Sequence, residues 1–444
     1  VRRSRRVFVV VAVTLLVLIA AVVGVYLWQR PILVTATGYA AHNACAVAHV
    51  ADRDHPETDL PDNPLVPYLQ AGVDDDGATA NLFGVLAGQR AWYTEGFGCT
   101  LAGDRPEFGE ATSISPDANP FAEASVDADP AIDAAIAGAF GDDLADPDAA
   151  ALGTRGVVVV KGGDLVGERY ADGFDASTPQ LGWSMSKSVA SLMLGVLVER
   201  GEVALDDDHL RPEWTDERAD ITVEQLVRMT SGIEWDETYD LGTPITQMLY
   251  LEPDMAGYVA SLPLAHEPGT VQQYSSGSTN LLCSVLAERT GLGADLPRQL
   301  LLGPLGMSSA VFEPDASGLP VCSSYLWATP RDWAAIGWFA EQGGVWGGER
   351  LLPDDWMAQS VTVDPVESTD DPGYGMGWRT NRLPDGSLAW PELPEDTFTA
   401  NGHDGQVIFV VPSEDVVVVR LGFTPEVEHE PRTVALVAAA IAAD

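Results

Sequence analysis

An uninterrupted apolar run from Val7 to Trp28 opens the chain, and Arg2, Arg3, Arg5 and Arg6 precede it. The run is long enough to cross a bilayer as one helix. The arginines are expected to stay cytoplasmic, which puts everything after Gln29 outside. The apolar core exceeds that of a cleaved signal peptide and no small-residue cleavage site follows closely, so an uncleaved anchor is expected over residues 1–34. The segment SRRVF, Ser4 to Phe8, also has the paired arginines of a twin-arginine export signal, although such pairs are common before membrane helices.

Residues 35–150 show little periodicity and many Asp, Pro and Ala, which predicts an N-terminal extension of short elements packed on the domain after it. Within it, DPAIDAAIAGAF at 129–140 predicts a short helix. From Gly156 the pattern sharpens. GVVVVKGGDLVGERYADGF is two β-rich runs around Gly162-Gly163, a hairpin signal, with Lys161 expected as solvated edge charge. SKSVASLMLGVLVERGEV then repeats apolar residues on one helical face and stops at Gly201, which places Ser184 at or near a helix N-terminus. From about 205 to 345 the segments TVEQLVRMTSG, NLLCSVLAERTG and TPRDWAAIGWFAEQGG each read as a helix ended by glycine. GQVIFVVPSEDVVVVRLGF predicts a second hairpin turning at Pro412 to Asp415, followed by an Ala-rich helix from about Arg432. Strands at both ends with helices between predict an α/β (α+β) domain over 151–444. Its antiparallel sheet is assembled from the two ends of the domain and flanked by helices, with a helical subdomain inserted at about 205–345.

A formal net charge of −42 over 444 residues changes the picture in one respect. It repels phosphates and anionic headgroups, so nucleic acid is excluded as a partner, while 46% hydrophobic residues exclude a disordered acidic chain. A salt-adapted source and a GC-rich genome both account for the acidity. Four cysteines in an exported chain suggest disulfides with three possible connectivities, of which Cys45 with Cys99 and Cys283 with Cys322 is the pairing of nearest neighbours. The alternative for Cys283 is a buried thiol. No C-x-x-C spacing exists, so no metal site is expected.

Only two of the 24 basic residues are lysines, Lys161 and Lys187. Lys187 lies three residues after Ser184, on the same helical face, so its amine can reach the Ser184 hydroxyl. A serine hydroxyl is a poor nucleophile until a neighbour takes its proton. A desolvated lysine can do so and an arginine, always protonated, cannot. No G-x-S-x-G elbow, phosphate-binding glycine loop or H-E-x-x-H helix competes with this reading.

SMSK at 184–187, GEVALDD, LVRMTSGIEWDE at 226–237, HEPGTVQQYSSGSTNLL at 266–282, LGPLGMSSAVFEPDASG at 302–318 and NGHDGQ at 401–406 occur in this order. Together they resemble the β-lactamase-related serine hydrolases. That superfamily includes class C β-lactamases, penicillin-binding proteins, esterases and 6-aminohexanoate-dimer hydrolases. The likeness covers about residues 155–440, and AHNACAVAHV with GFGCTLAG looks like the front extension of exported members near the 6-aminohexanoate-dimer branch. It implies a β-lactamase/transpeptidase-like fold with Ser184 as acylated nucleophile, Lys187 as its base partner and Tyr274 as the tyrosine that relays protons. It also implies an oxyanion hole from the backbone N–H groups of Ser184 and Gln406, with side-chain identity at 406 of little consequence.

The sequence departs from the family pattern twice. Ser276 stands where asparagine is frequent two residues after the tyrosine, and His403-Asp404-Gly405 stands for Lys-Thr-Gly. A mostly neutral histidine beside a carboxylate holds a substrate carboxylate less well than lysine does. Gly405 is expected to let the strand approach the substrate, with His403, Ser276, Trp183 and Tyr239 as further substrate contacts. The reading is a membrane-anchored extracytoplasmic hydrolase of small esters or amides, without cofactor. Its alternatives are a β-lactamase or D,D-peptidase and a non-turnover penicillin-binding sensor. The sequence does not indicate an oligomeric state.

Overall fold

The computed structural model describes residues 2–60, 65–425 and 429–443. Helix α1 (Arg2–His49) extends past the apolar run and through Pro31, so it crosses the boundary expected at 34. Its halves differ in surroundings. The most apolar stretch, of mean hydropathy 3.1, has none of its residues buried against the protein, whereas Ala40, Ala41, Ala44, Cys45, Ala46 and Val47 are fully enclosed. Small side chains there let a sheet approach closely.

That sheet is the element the sequence pattern does not reveal: an antiparallel meander of β1 (Leu69–Asp74), β2 (Gly77–Leu82), β3 (Leu86–Thr94) and β4 (Gly98–Leu101). Its inward positions are Ala78, Ala80 and Ala91, which contrast too weakly with their polar neighbours to register as alternation. The Cys45–Cys99 disulfide ties α1 to β4, and Cys283–Cys322 closes the second pair, so the nearest neighbours in sequence are the ones joined. Fully buried Glu313 accepts hydrogen bonds from the Cys99 amide (2.7 Å) and Trp327 Nε1 (3.0 Å) and pairs with His42 at 2.9 Å. The extension is thereby locked onto the rest of the chain.

Helix α2 (Pro130–Ala139), capped by the Asp129 carboxylate on the amides of Ala131 and Ile132, and α3 (Asp146–Leu152) lead into the central sheet. That sheet is antiparallel and six-stranded, in the order 379–380, 398–401, 407–411, 416–422, β5 (Thr154–Lys161), β6 (Asp164–Tyr170). The C-terminal strand pairs directly with the first, Val419 opposite Val158, which joins the two ends of the domain as expected. Alternate residues face opposite ways. Val157, Val159, Phe409 and Val418 pack under α2 and the terminal helix, while Val158, Val160, Ile408 and Val417 join the larger core.

Helix α4 (Met185–Glu199) is buried along nearly its whole length. Beyond it come α5 (Val223–Val227), α6 (Pro244–Tyr250), α7 (Met255–Ser261) and α8 (Ser276–Thr290), then α9 (Pro330–Glu341), α10 (Trp356–Ser360) and α11 (Glu430–Ala442). The sequence places α9 in the inserted helical block, but it packs on the sheet. Gly337 sits so close that a Cβ there would lie 2.5 Å from Val417 Cγ1. Lys161 also differs from expectation: its amine donates to the carbonyls of Ile441 and Ala443, where a cation complements the C-terminal end of α11.

Arg420 is buried in the sheet with neutral acceptors around it: the carbonyls of Gly405 (2.6 Å) and Leu152 (2.8 Å) and the hydroxyls of Thr154 and Thr424. Burial pushes it down to about 9 and, with Arg420 beside it, pushes His429 down to about 4 from its ordinary 6.5. Between those two values the unfolded chain binds a proton at His429 that the folded chain does not. The stabilisation is therefore complete above 6.5 and is lost as pH falls towards 4. His429→Gln is expected to reduce the drop in urea midpoint between neutral and acid pH; an unchanged drop would place that sensitivity elsewhere.

Candidate active site

Ser184 caps α4 at the end of a constrained turn. Trp183 before it has φ +48°, a conformation that costs a non-glycine residue roughly 1–2 kcal/mol. Its ring is held against Tyr39, Tyr239, Tyr325 and His403. Gly182 cannot carry a side chain, since a Cβ would sit 2.1 Å from Trp333. The turn thus has fixed neighbours on both sides before α4 begins.

One helical turn on, Lys187 is 2% exposed, and its Nζ lies 2.9 Å from Ser184 Oγ, 2.9 Å from Ser276 Oγ and 3.1 Å from the Ser323 carbonyl. All three are uncharged oxygens. Tyr274 precedes α8, whose N-cap is Ser275, and its amide donates to Asp370 (2.9 Å). Its ring centre is 4.9 Å from Lys187 Nζ and 5.0 Å from the Arg379 guanidinium carbon. The structure therefore brings Ser184 and Lys187, at the start of α4, together with Tyr274 from the segment just before α8, far away in sequence. The Tyr274 hydroxyl bonds to no other described residue.

Ser276 has a different place from the one expected. It is fully buried, accepting from Lys187 and donating to Glu237 Oε1 (2.5 Å), so it links the amine to a carboxylate and does not line the cleft. Glu237 also accepts from the Ser276 amide (2.9 Å) and Trp235 Nε1 (2.5 Å). Sequence reasoning gave this glutamate no role. Its only signal was membership of the LVRMTSGIEWDE segment. Arg379, paired with Asp371 at 2.6 Å, was likewise missed, and nothing in its local sequence marks it.

On the opposite wall, His403 stacks on Tyr239 with ring centres 4.5 Å apart, and its Nε2 is 3.3 Å from Asp404 Oδ1. Burial raises the Asp404 carboxyl, against the lowering by His403 and Arg155. Burial above all, then Glu237, pushes the Tyr239 phenol well up. Gly405 also has a packing reason that the sequence did not show. With φ +87°, its missing Cβ makes room for Arg420 (2.6 Å) and His429 (2.9 Å) on the far side.

Gln406 corrects the expectation that its side chain is of little consequence. Buried Nε2 donates to the carbonyls of Gly422 (2.5 Å), His403 and Asp404 (3.2 Å each), while Oε1 accepts from the Gly422 amide (2.9 Å). The turn is thereby stitched to the neighbouring strand. Gly402, at its start, abuts the Gly182 carbonyl, to which a Cβ would come within 2.1 Å. The N–H groups of Ser184 and Gln406 donate to no other described residue, although both segments are otherwise well paired.

An antiparallel sheet joined from both ends of its domain and covered by helices on both faces, with the Ser184 turn at one of those helices, is the β-lactamase/transpeptidase-like fold. The β-lactamase family model matches residues 141–441, and the chain belongs to that family. A 6-aminohexanoate-dimer hydrolase of Paenarthrobacter ureafaciens is 25% identical over 296 residues, covering 62% of this chain and 73% of the relative. A solved Bacillus anthracis structure provisionally assigned as a 6-aminohexanoate-dimer hydrolase aligns with TM-score 0.58 and 22% identity, over 72% of this chain and 87% of that one. A family VIII carboxylesterase structure aligns with TM-score 0.53 and 17% identity, over 75% and 99%. The homologues in this family are serine hydrolases.

Proposed function

We propose that the protein is a membrane-anchored extracytoplasmic hydrolase that cleaves small esters or amides through an acyl-enzyme on Ser184. The observation that carries this reading is the 2.9 Å contact between Lys187 Nζ and Ser184 Oγ, made by an amine whose other partners are uncharged. Ser184 attacks the carbonyl while Lys187 takes its proton. The oxyanion then rests on the backbone amides of Ser184 and Gln406, Tyr274 protonates the departing alcohol or amine, and water releases the acyl group.

Esters and simple amides rank above β-lactams because the third-motif position offers His403, stacked and beside a carboxylate, where a substrate carboxylate would need a cation. The names of the relatives, a 6-aminohexanoate-dimer hydrolase and a carboxylesterase, point the same way. The exposed apolar half of α1 supports the anchor. The test is a substrate panel with the full chain in detergent. Turnover of p-nitrophenyl acetate and butyrate is expected to exceed that of β-lactams by about a hundredfold or more. Preferred β-lactam turnover, or a stable β-lactam adduct without ester turnover, would overturn the reading.

Gln406 supplies a second test. Gln406→Leu removes four hydrogen bonds that hold the turn but leaves its backbone amide, so kcat is expected to fall about tenfold to a hundredfold with KM little changed. An unchanged kcat would detach that amide from the reaction.

A further inference from the structure

The β2–β3 hairpin ends in an apolar tip. Phe83, Val85 and Leu86 are 57%, 81% and 36% exposed, and Tyr68, 49% exposed, packs its ring 5.0 Å from that of Phe83. Two observations say what covers this tip. First, the residue next to the tip touches α1: the Ala87 amide donates to the hydroxyl of Tyr26, inside the apolar run (3.2 Å), and Thr37 Oγ1, beyond the run, donates to the Ala87 carbonyl (2.5 Å). The opposite end of the same sheet lies at the other end of α1, where His49 Nε2 meets the Asp74 carbonyl at 2.9 Å.

Second, the charge is partitioned. In a chain with 66 acidic residues, segments 65–73 and 77–89 contain none, while Asp74, Asp75 and Asp76 crowd the turn at the far end. A tip meant for water in so acidic a protein has no need to be cleared of carboxylates. One meant for a leaflet does, because a carboxylate there loses its hydration.

We propose that the Phe83–Leu86 tip, with Tyr68, is seated in the extracytoplasmic leaflet of the same membrane that α1 crosses. The inference rests on the anchor reading above. The tip adds a second, monotopic contact beside the spanning helix and so fixes how the domain stands on the bilayer. Helix α1 also carries Tyr39, whose ring stacks on Tyr250 (4.9 Å) and meets Trp183 edge-on, so the seat holds the nucleophile's wall at a set height above the lipid.

The test uses the full chain in phosphatidylcholine vesicles with one added cysteine carrying an NBD fluorophore, at Val85→Cys, Asp75→Cys or Leu18→Cys. All four native cysteines are in disulfides, so the added thiol is the one labelled. The Val85 and Asp75 side chains are exposed, so their replacement removes no packing, and circular dichroism checks the fold of each variant. Brominated acyl chains are expected to quench positions 18 and 85, the latter by about twofold, and to leave 75 unchanged. Quenching at 18 without quenching at 85 overturns the seat and leaves the anchor standing. Absence of quenching at both overturns the two together. An unquenched label at 85 whose emission shifts with the protein-to-lipid ratio assigns the tip to a second copy of the chain, and also overturns the proposal.

Discussion

Ser184→Ala is expected to lower kcat for p-nitrophenyl butyrate by about 10³-fold or more, without loss of fold. Ser184 is partly exposed at the N-terminal cap of α4, and among the described residues its one side-chain hydrogen bond is to Lys187, so removal of the hydroxyl opens no cavity in the core. The covalent bond formed to the substrate in the first step is made by that oxygen, and the residual rate should be the part supplied by the oxyanion amides and binding alone. The measurement is steady-state turnover alongside thermal unfolding. A variant that keeps more than about a tenth of wild-type kcat would show that another group is acylated.

Lys187→Arg is expected to be almost as damaging, about 10³-fold or more in kcat, because the guanidinium stays protonated and cannot receive the serine proton. The same replacement separates charge from chemistry. Arginine retains a cation for Ser276 and the Ser323 carbonyl, so a role confined to holding those groups would survive it in part. The site is tightly enclosed, with Lys187 2% exposed, so thermal unfolding must be recorded in parallel. A variant with near wild-type stability and no turnover supports the proton-acceptor role, whereas substantial turnover would remove it. This is also the physical reason a lysine stands here in a chain that otherwise writes its basic residues almost entirely as arginine.

Much of the frame was legible because it rests on local pattern. The valine runs around Gly162-Gly163 and Pro412–Asp415 formed the hairpins they predicted, and the glycine after α8 ends that helix in a left-handed turn. The extension was not legible. Its sheet is lined by alanines, and α1 continues through a proline, which signals a stop when no tertiary partner is considered. Helix α9 shows the other limit. Its periodicity announced a helix correctly, but periodicity carries no address, and only the close approach of Gly337 to Val417 reveals that it covers the sheet.

The same division runs through the candidate site. Ser184 and Lys187 are three residues apart, so helix geometry alone brings them together, and sequence by itself determined that pair, the two hairpins and the apolar first half of α1. The link from Ser276 to Glu237, the Gln406 side chain stitching its turn, the reason for Gly405, and Arg379 over Tyr274 were decided by tertiary structure. These contacts join residues far apart in the chain, or, like that of Gln406, depend on which strand the turn packs beside. Local spacing encodes what one helix or one hairpin does on its own; contacts between elements exist only once the common core has set their distances.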